Sequence, residues 1–589
     1  MPDQQGNPFT PVHCGPPFKG MADAPDFPNA YPQFAIPITQ TVYLENVLCR
    51  SGFLDASPGW QQVSLGDIPS EMGGYVTGFG VNAIVVKVGS LDGRIVCTVS
   101  RGFGVDGQTT DLTALYGESR PAGTVYSFAV LAHTIYFAGG QQVFKVNPAT
   151  LAVEQLICVD GTEKQTVAYI NGIIPASYLC VHNGALWYVL AGTTDFECTV
   201  ELDPNDPLIT DPNKIQHGMV RYGPQQILFS DPYAPDNVQY ISAFDIQDDG
   251  ADVLALMSWQ SNLLIFTRTG LWVLQGDSSS NWAMQCQSKG AGCVSGMSVA
   301  CVGDAVLWVG PTNVWMLTKD GLAQIPGTSW MFGTGAAAAG ALLEIAGIDD
   351  SGAPKWQPTS NCCGAAFLGA YYFASYKADA FAPMMLLAVE VATQQVSLVV
   401  VPQAYLGYSY GGVLIEDRNS GILGRPSLFV CGLGQWLAMI AGTGPNGAQS
   451  IAVLRTMIQP TAVATVARVY ERFSSPPLMG AANVIALDDA YRIGSKWPPT
   501  KADELGQIQM PLPPGVTDEA GAFDGSQWDG DPTAAPLPAR WAPNGPTVLT
   551  QPGVAEGTDF LTVIRFTGGL PTTLERVAIV LGNQQPVSA

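Results

Sequence analysis

Acidic side chains cluster in one short segment, and their spacing could bind a hard cation such as Ca²⁺. Residues 245–252 contain four aspartates and one glycine, and alternating carboxylates around a glycine can converge on one ion. An EF-hand loop that began at Asp245 would place its bidentate glutamate at Leu256, so the EF-hand pattern fails. We interpret this segment as a solvated turn between two strands, with a cation bound in another geometry as the alternative.

The chain has only four histidines that could act as catalytic bases: His13, His133, His182 and His217. We place His13 in an N-terminal arm, His133 in a strand and His182 in a turn. His217, which precedes a glycine, is then the one weak candidate. The chain contains no G-x-S-x-G element, P-loop or dinucleotide-binding fingerprint. We therefore predict no catalytic residues and no enzyme activity.

Two further segments have a superficial resemblance to functional motifs. Residues 102–107 are rich in glycine, as in a phosphate-binding loop, but no helix pattern follows to supply an N-terminal dipole. A β-turn or bulge is favoured there. Residues 55–60 resemble the Asp box of sialidases, but the motif occurs once and in a different order. The scarcity of histidine also leaves a copper site short of ligands.

Twelve cysteines show no metal-binding pattern. The chain has no C-x-x-C pair, and the spacing fits no zinc module. Because a free cysteine packs as a small apolar residue, we predict buried thiols in strands, with Cys362 and Cys363 on opposite faces of one strand. We predict no cofactor and no metal. The cysteines are Cys14, Cys49, Cys97, Cys158, Cys180, Cys198, Cys286, Cys293, Cys301, Cys362, Cys363 and Cys431.

Short apolar strands separated by turns are clearest in residues 253–325, where no helical period appears. We predict tight turns at residues 268–270, 303–304 and 319–321, because glycine and aspartate tolerate the backbone of such corners. The density of strands is that of four-stranded sheets repeated along the chain. This pattern predicts an all-β protein with a β-propeller.

The remaining organisation follows from changes in composition. Residues 1–40 are rich in proline and glycine and predict an extended arm. Residues 41–455 hold the propeller strands. Residues 456–589 predict a second, smaller β-domain with a long Pro/Gly/Asp-rich loop. Because Trp497, Trp528 and Trp541 lie in that loop, we expect it to contact a partner.

The charge and composition limit the possible partners. The net charge of −23 and the absence of a basic run disfavour proteins that bind nucleic acid through its phosphates. Only 13% of the residues are charged, which favours a surface that faces other subunits. We find no signal peptide and no apolar run long enough to cross a membrane. We therefore expect synthesis in a reducing cytoplasm and no membrane span.

Two blocks resemble the tail nozzle proteins of short-tailed bacteriophages, also called packaged-DNA stabilisation or tail tube proteins. The first is residues 45–60, with Asn46 and the Pro58-Gly59 step. The second is residues 263–310, with a Gly-Cys step at 292–293, Ser-Val-Ala at 298–300 and a Gly-Asp corner at 303–304. Together they cover about a tenth of the chain.

The resemblance implies a structural virion protein with a β-propeller in each subunit and no catalytic residues. It implies a ring of six subunits below the portal and adaptor rings, with contacts to tail fibres or spikes. DNA would be retained by this ring and would pass through its lumen at ejection. The alternative is a propeller-based interaction or carbohydrate-binding module, and a glycan hydrolase is a third, weaker hypothesis.

Overall fold

Strands make up most of the part of the chain that can be described. The computed structural model describes residues 9–14, 19–21, 40–51, 53–63, 72–81, 84–91, 93–101, 107–119, 125–158, 169–200, 216–246, 251–278, 281–326, 328, 362–374, 385–401, 413–417, 426–431, 436–440, 450–457, 462–474, 479–486, 547–550, 555–557, 559–567 and 572–586. Within these ranges one α-helix, α1 (Leu112–Tyr116), and one 3-10 helix (Gly296–Ser298) interrupt the strands. The predicted all-β class is confirmed.

Six strands precede the repeated part of the fold. They are β1 (Phe9–Cys14), β2 (Lys19–Met21), β3 (Gln40–Glu45), β4 (Val47–Arg50), β5 (Phe53–Ala56) and β6 (Trp60–Val63). Asn46 separates β3 from β4 with a φ of 54°, a left-handed conformation that asparagine tolerates better than most residues. Its carbonyl oxygen accepts hydrogen bonds from the Ser57 N–H at 2.9 Å and the Ser450 hydroxyl at 3.1 Å. This bend therefore joins two distant segments.

Seven groups of four antiparallel strands follow, and we call them sheets 1 to 7. Sheet 1 contains β7 (Met72–Val81), β8 (Ile84–Leu91), β9 (Arg94–Arg101) and β10 (Gln108–Asp111). Sheet 2 contains β11 (Ser127–Leu131), β12 (Thr134–Ala138), β13 (Val143–Val146) and β14 (Val153–Gln155). A separate three-stranded sheet is formed by β15 (Ile170–Asn171) with β18 and β19, whose bounds are Thr194–Val200 and Gln216–Tyr222. Sheet 3 contains β16 (Ala176–His182), β17 (Ala185–Leu190), β20 (Gln226–Phe229) and β21 (Ala243–Asp245).

The other four groups continue this order along the chain. Sheet 4 contains β22 (Val253–Trp259), β23 (Asn262–Thr267), β24 (Gly270–Gln275) and β25 (Ala283–Lys289). Sheet 5 contains β26 (Ala300–Val302), β27 (Ala305–Val309), β28 (Val314–Thr318) and β29 (Gly321–Gln324). Sheet 6 contains β30 (Cys363–Phe367), β31 (Ala370–Ala374), β32 (Met385–Glu390) and β33 (Gln395–Val400). Sheet 7 contains β34 (Val413–Asp417), β35 (Ser427–Cys431) and β36 (Trp436–Ile440), with β6 as its fourth strand.

The C-terminal strands pair with N-terminal strands. They are β37 (Ser450–Met457), β38 (Ala462–Phe473), β39 (Met479–Ala486), β40 (Thr547–Thr550), β41 (Ala555–Gly557), β42 (Asp559–Thr567) and β43 (Thr573–Pro586). β43 pairs with β38, β1 and β5, while β42 lies between β37 and β39. β3 pairs with β37 and also with β33, which makes sheet 6 one end of a nine-stranded sheet.

These pairings bear on the predicted division of the chain. The predicted arm, residues 1–40, contains β1 and β2, and the predicted boundary between residues 455 and 456 falls within β37. Trp497, Trp528 and Trp541 lie outside the described residues.

The first strands of successive sheets contact one another. β11 contacts β16, β16 contacts β22, and β22 contacts the 3-10 helix that precedes β26. β26 contacts β30, β30 contacts β34, and β34 contacts β7. A shared apolar cluster joins sheets 1 and 2, which completes the sequence of neighbours. The contacts therefore return from sheet 7 to sheet 1.

Apolar cores lie between neighbouring sheets, since each sheet presents side chains to both faces. Each of these cores contains buried residues from two neighbouring sheets. Examples are Val86 with Phe137, Tyr136 with Leu179, Trp187 with Leu263, Phe266 with Trp308, and Tyr372 with Phe429.

The segment 290–299, which we call the seam, joins sheets 4 and 5. A Cβ atom on Gly292 would lie 2.0 Å from the carbonyl oxygen of Arg268, so no larger residue fits there without a backbone shift. The Cys293 N–H donates to the Thr267 carbonyl oxygen at 2.9 Å. The indole N–H of Trp308 lies 3.3 Å from the carbonyl oxygen of Gly292. Close backbone packing therefore explains the Gly-Cys step and the tryptophan that follows it.

The seam also reaches sheet 6 through Ser298, which is fully buried. Its hydroxyl donates to the Ser295 carbonyl oxygen at 2.7 Å and accepts from the Val309 N–H at 3.2 Å. Its carbonyl oxygen accepts a hydrogen bond from the Tyr371 hydroxyl at 2.6 Å. Ser298, a residue of the second block that resembles the phage family, thus links sheets 5 and 6.

The predicted corners are confirmed by the structure. β23 ends at Thr267 and β24 begins at Gly270. Gly303, with a φ of 60°, lies between β26 and β27, and Gly321, with a φ of 129°, begins β29. Glycine is favoured at these positions because it adopts positive φ at little cost.

Candidate functional site

A pocket of about 300 Å³ lies beside the turn that connects β16 and β17. Asn183 and Gly184 form this turn with φ of 49° and 75°, as in the Asn-Gly hairpins that match strand twist. The Gly184 carbonyl oxygen accepts a hydrogen bond from the Tyr233 N–H at 2.8 Å. The Asn183 side-chain amide lies 3.5 Å from the Gly276 carbonyl oxygen of sheet 4. The turn therefore holds parts of sheets 3 and 4 around one cavity.

Aromatic rings form the apolar wall of this pocket. Phe229 and Trp282 line it, and their ring centroids are 4.9 Å apart in an edge-to-face contact. Trp187 stacks on Phe229 at 4.8 Å and is itself fully buried. Phe244 lies 5.4 Å from Trp282. Edge-to-face and offset contacts are favourable aromatic geometries, so these rings hold one another in place.

A hydrogen-bonded carboxylate forms part of the polar wall. Asp231 accepts from the Tyr169 hydroxyl at 3.0 Å and from the Gln239 side-chain amide at 2.7 Å. The hydroxyl of Ser230 donates to the Asp231 carbonyl oxygen at 2.9 Å. Asp231, Gln239 and Ser230 all line the pocket. The side chain of Asp231 is therefore fixed and retains lone pairs that can accept further hydrogen bonds.

The loop that precedes β25 supplies another side of the pocket. The Asn281 side-chain oxygen accepts from the N–H groups of Asp277 and Ser278 at 3.1 and 3.0 Å. The Asn281 amide donates to the Asp277 carboxylate at 2.7 Å. Asp277 and Ser278 line the pocket beside Trp282, so a local network orients this loop.

His182 is the most deeply buried titratable group of the pocket, with 2% of its surface exposed. Its Nδ1 lies 2.9 Å from the Ser258 hydroxyl, while its Nε2 has no hydrogen-bond partner in the described part of the chain. Burial lowers the pKa of His182 below its ordinary value, because the charged form loses hydration. The imidazole is therefore neutral at neutral pH.

The contact between His182 and Ser258 does not form a catalytic triad within the described residues. A triad needs a group that holds the second ring nitrogen and orients the base, and Nε2 of His182 lacks one there. Within the same ranges no group of three or more His, Cys, Asp and Glu side chains is placed to hold a metal ion. The arrangement is a pocket with one aromatic wall and one polar wall.

The other histidines lie apart from this pocket. His13 lies on β1, within the predicted arm, and His217 lies on β19. The prediction for His133 is wrong: it lies in the turn between β11 and β12, with a φ of 67°. The prediction that His182 lies in a turn is wrong by one residue, because His182 is the last residue of β16 and directly precedes the turn.

The remaining candidate motifs have structural roles or fall outside the described residues. Asp55 accepts a hydrogen bond from the Thr573 hydroxyl at 2.7 Å, which ties β5 to β43. β21 ends at Asp245 and β22 begins at Val253, while residues 247–250 lie outside the described part. Residues 102–106 also lie outside it. Asp252 forms a 3.7 Å ion pair with Arg268.

The described cysteines with placed side chains are free thiols, as predicted. Cys180, Cys286 and Cys301 are partly exposed and the others are buried. Burial raises the pKa of Cys49 and of Cys293 to about 12. A buried thiol that stays protonated is a poor nucleophile and metal ligand.

Sequence reasoning missed Asp231, Gln239 and Trp282. No motif connects them, since they come from separate loops of sheets 3 and 4. The signal that could have drawn attention to them is Trp282 itself, a tryptophan in a Ser/Asn-rich connection between two strands.

Together these observations define an all-β protein of repeated four-stranded sheets, with an aromatic and polar pocket among the described residues. No protein-family model matches the chain, and no curated protein sequence is significantly similar to it. Among solved structures, PorZ, a surface component of the type-IX secretion system of Porphyromonas gingivalis, aligns with a TM-score of 0.32 and 8% identity. That alignment covers 68% of this chain and 43% of the PorZ chain. A chain of the Mitotic Checkpoint Complex aligns with a TM-score of 0.31 and 10% identity, covering 65% of this chain and 94% of that chain. Neither similarity defines a function.

None of the helices in the described ranges has the length and apolar character needed to cross a membrane.

Proposed function

We propose that sheets 1 to 7 are the blades of a closed β-propeller. A propeller places the first strand of each blade beside the first strands of its neighbours around a central axis. The sequence of contacts from β11 to β34 and on to β7 supports this arrangement. β6 adds a strand from the N-terminal side to the last sheet, so a segment before sheet 1 completes sheet 7.

We further propose that the protein is a non-catalytic structural subunit of the tail tube, or nozzle, of a short-tailed bacteriophage. The observation that carries this proposal is the role of the residues behind the resemblance. Asn46 and Asp55 join the N-terminal strands to distant segments, and Gly292, Cys293 and Ser298 join sheets 4, 5 and 6. These residues hold sheets together, as expected for a subunit whose work is mechanical.

In this proposal six subunits form a ring below the portal and adaptor rings, in contact with adaptor proteins and with tail fibres or spikes. DNA is retained by the ring and passes through its lumen without sequence-specific binding. The net charge of −23 supports this function, because an acidic wall repels phosphates and does not hold the duplex. The protein is made in the host cytoplasm and resides in the virion tail.

Exposed apolar side chains support contacts between subunits. Five of the eight large apolar residues that are exposed in the described part lie between residues 157 and 241, namely Ile157, Ile173, Met219, Tyr233 and Ile241. Met219 is 66% exposed on β19. An exposed apolar side chain such as that of Met219 can pack against a neighbouring subunit.

The experiment is to assemble particles without this chain. We expect filled heads that lose their DNA, and restoration of stable, infectious particles when the purified protein is added. Particles that lack the chain yet retain DNA and infect normally would contradict the proposal.

A second candidate is an interaction or carbohydrate-binding module, and the pocket at His182 favours it. A glycan hydrolase is a weaker third candidate. Hydrolysis of a cell-surface polysaccharide that a single carboxylate substitution abolishes would favour the hydrolase over both other functions.

A further inference from the structure

We propose that the pocket at His182 binds the ring of a neutral saccharide. The proposal concerns this pocket alone and holds for a ring subunit or for a monomer. Phe229 and Trp282 would contact the apolar face of the sugar. Asp231, Gln239, Nε2 of His182 and Nε1 of Trp282 would form hydrogen bonds with its hydroxyl groups.

Two unpartnered ring nitrogens are the first observation. Nε2 of His182 and Nε1 of Trp282 are both inaccessible to solvent and have no hydrogen-bond partner among the described residues. Buried polar groups are almost always paired, because an unpaired one loses its hydration without compensation. The two side chains belong to different sheets, and both line the same pocket. Because protein atoms cover both nitrogens, each ring must turn towards the pocket before its nitrogen can pair with a ligand hydroxyl group.

The aromatic wall is the second observation. Phe229 and Trp282 are only partly buried, although they pack on the buried Trp187. Large aromatic side chains contribute most of their stabilisation when their faces are covered. A sugar ring has an apolar C–H face that can cover them, together with hydroxyl groups at its edge.

The charge of the lining excludes an anion as the preferred ligand. Asp231 and Asp277 line the pocket, and none of the described residues that line it is a lysine or an arginine. Burial keeps His182 neutral. Two carboxylates without a cation repel a carboxylate or phosphate ligand, whereas they accept hydrogen bonds from neutral hydroxyl groups.

The size of the pocket limits the bound unit. A volume of about 300 Å³ lies at the lower end of the range for ligand pockets. The exposed Ile241 and Tyr233 lie at and beside the pocket. We therefore expect one sugar residue to enter, as a monosaccharide or as the terminal unit of a longer glycan.

The test uses the full chain labelled with 5-fluorotryptophan and fluorine NMR. Glucose, galactose and N-acetylglucosamine are titrated separately, with glucuronate as the charged comparison. The Trp282 signal is assigned from its absence in Trp282→Phe. At least one neutral sugar should shift this signal in a saturable manner, and glucuronate should bind more weakly than that sugar.

Two variants then locate the site by saturation-transfer NMR. Trp282→Phe keeps a ring and removes the N–H, so it should weaken binding by about three- to ten-fold, the effect of one hydrogen bond. Trp315→Phe is the matched control, because its buried indole nitrogen is also unpartnered but lies outside the pocket. It should bind like the wild-type protein. If Trp282→Phe does not fold, Gln239→Ala at the pocket should show the same weakening.

Three results would overturn the inference. They are the absence of any shift of Trp282 with all three neutral sugars, tighter binding of glucuronate than of every neutral sugar, and equal affinity in pocket and control variants. Sugar binding by a monomeric chain would support this inference while contradicting the proposed ring, so the two proposals fail separately.

Discussion

The seam at residues 290–299 provides a quantitative test of how the sheets are joined. In Gly292→Ala the new Cβ would lie 2.0 Å from the Arg268 carbonyl oxygen and 3.0 Å from the Thr269 nitrogen. Because the obstacle is backbone, the two segments must separate by roughly 1.4 Å to reach an ordinary contact. This shift would stretch the hydrogen bonds from Gly290 N–H to Thr269 (2.6 Å) and from Cys293 N–H to Thr267 (2.9 Å).

The expected loss follows from these contacts. Overpacking costs about 1–3 kcal/mol, and each weakened hydrogen bond adds up to about 1 kcal/mol. We expect Gly292→Ala to lower the free energy of unfolding by about 2–4 kcal/mol. Urea unfolding followed by tryptophan fluorescence measures this change, since Trp272, Trp308 and Trp315 report on sheets 4 and 5.

Gly192→Ala is the matched control. A Cβ atom at Gly192 would have no neighbour within 4 Å, and its backbone is outside the left-handed region. Its stability should stay within about 0.5 kcal/mol of wild type or increase slightly. Equal unfolding midpoints for the two variants would refute the close packing of the seam.

Three further predictions concern single groups. Tyr371→Phe removes the buried hydrogen bond to the Ser298 carbonyl oxygen and should lower the free energy of unfolding by about 1–2 kcal/mol; an unchanged urea midpoint would contradict the link between sheets 5 and 6. Burial lowers the pKa of His182, so between about pH 6.5 and that lower pKa the unfolded chain is protonated at this histidine and the folded chain is not. In this range the free energy of unfolding of the wild type should fall by about 1.4 kcal/mol for each unit by which the pH falls. His182→Gln should lack this decrease, and an identical pH dependence of the two proteins in urea unfolding would contradict the lowered pKa of His182. Iodoacetamide should label the partly exposed Cys286 and Cys301 in the native protein before the buried thiols. If mass spectrometry found Cys97 labelled as fast as these two residues, the burial of Cys97 would be contradicted.

Local backbone chemistry made the turns predictable. Asn183-Gly184 and Gly303-Asp304 carry residues that tolerate positive φ, and each lies between two paired strands. Where this signal is missing, prediction failed. Ala132 and His133 both have positive φ, 48° and 67°, although neither is a residue typical of such turns. The alternation of apolar residues around them concealed the turn.

Long-range pairing was beyond the sequence pattern. β6 pairs with β36, although sheets 1 to 6 lie between these two strands along the chain. Nothing in the alternation of either strand specifies that partner. The β43 strand likewise pairs with β1 and β5. Register and partners of this kind depend on tertiary packing.

The pocket could not be predicted for a related reason. Its chemistry depends on His182, Asp231 and Trp282, which come from the end of β16 and from two separate connections. Each residue taken alone has an ordinary structural explanation. Their common position at one pocket, and the unpaired ring nitrogens of His182 and Trp282, become visible only when the sheets are placed side by side.

The central claim is that this protein acts as a ring-forming structural subunit, and native mass spectrometry of the purified full chain tests it most directly. At micromolar concentration we expect a species of six times the 62.2 kDa mass of one chain, and images of that species should show a closed ring with an open lumen. A 62.2 kDa monomer at that concentration, with no ring in assembled particles, would contradict the account.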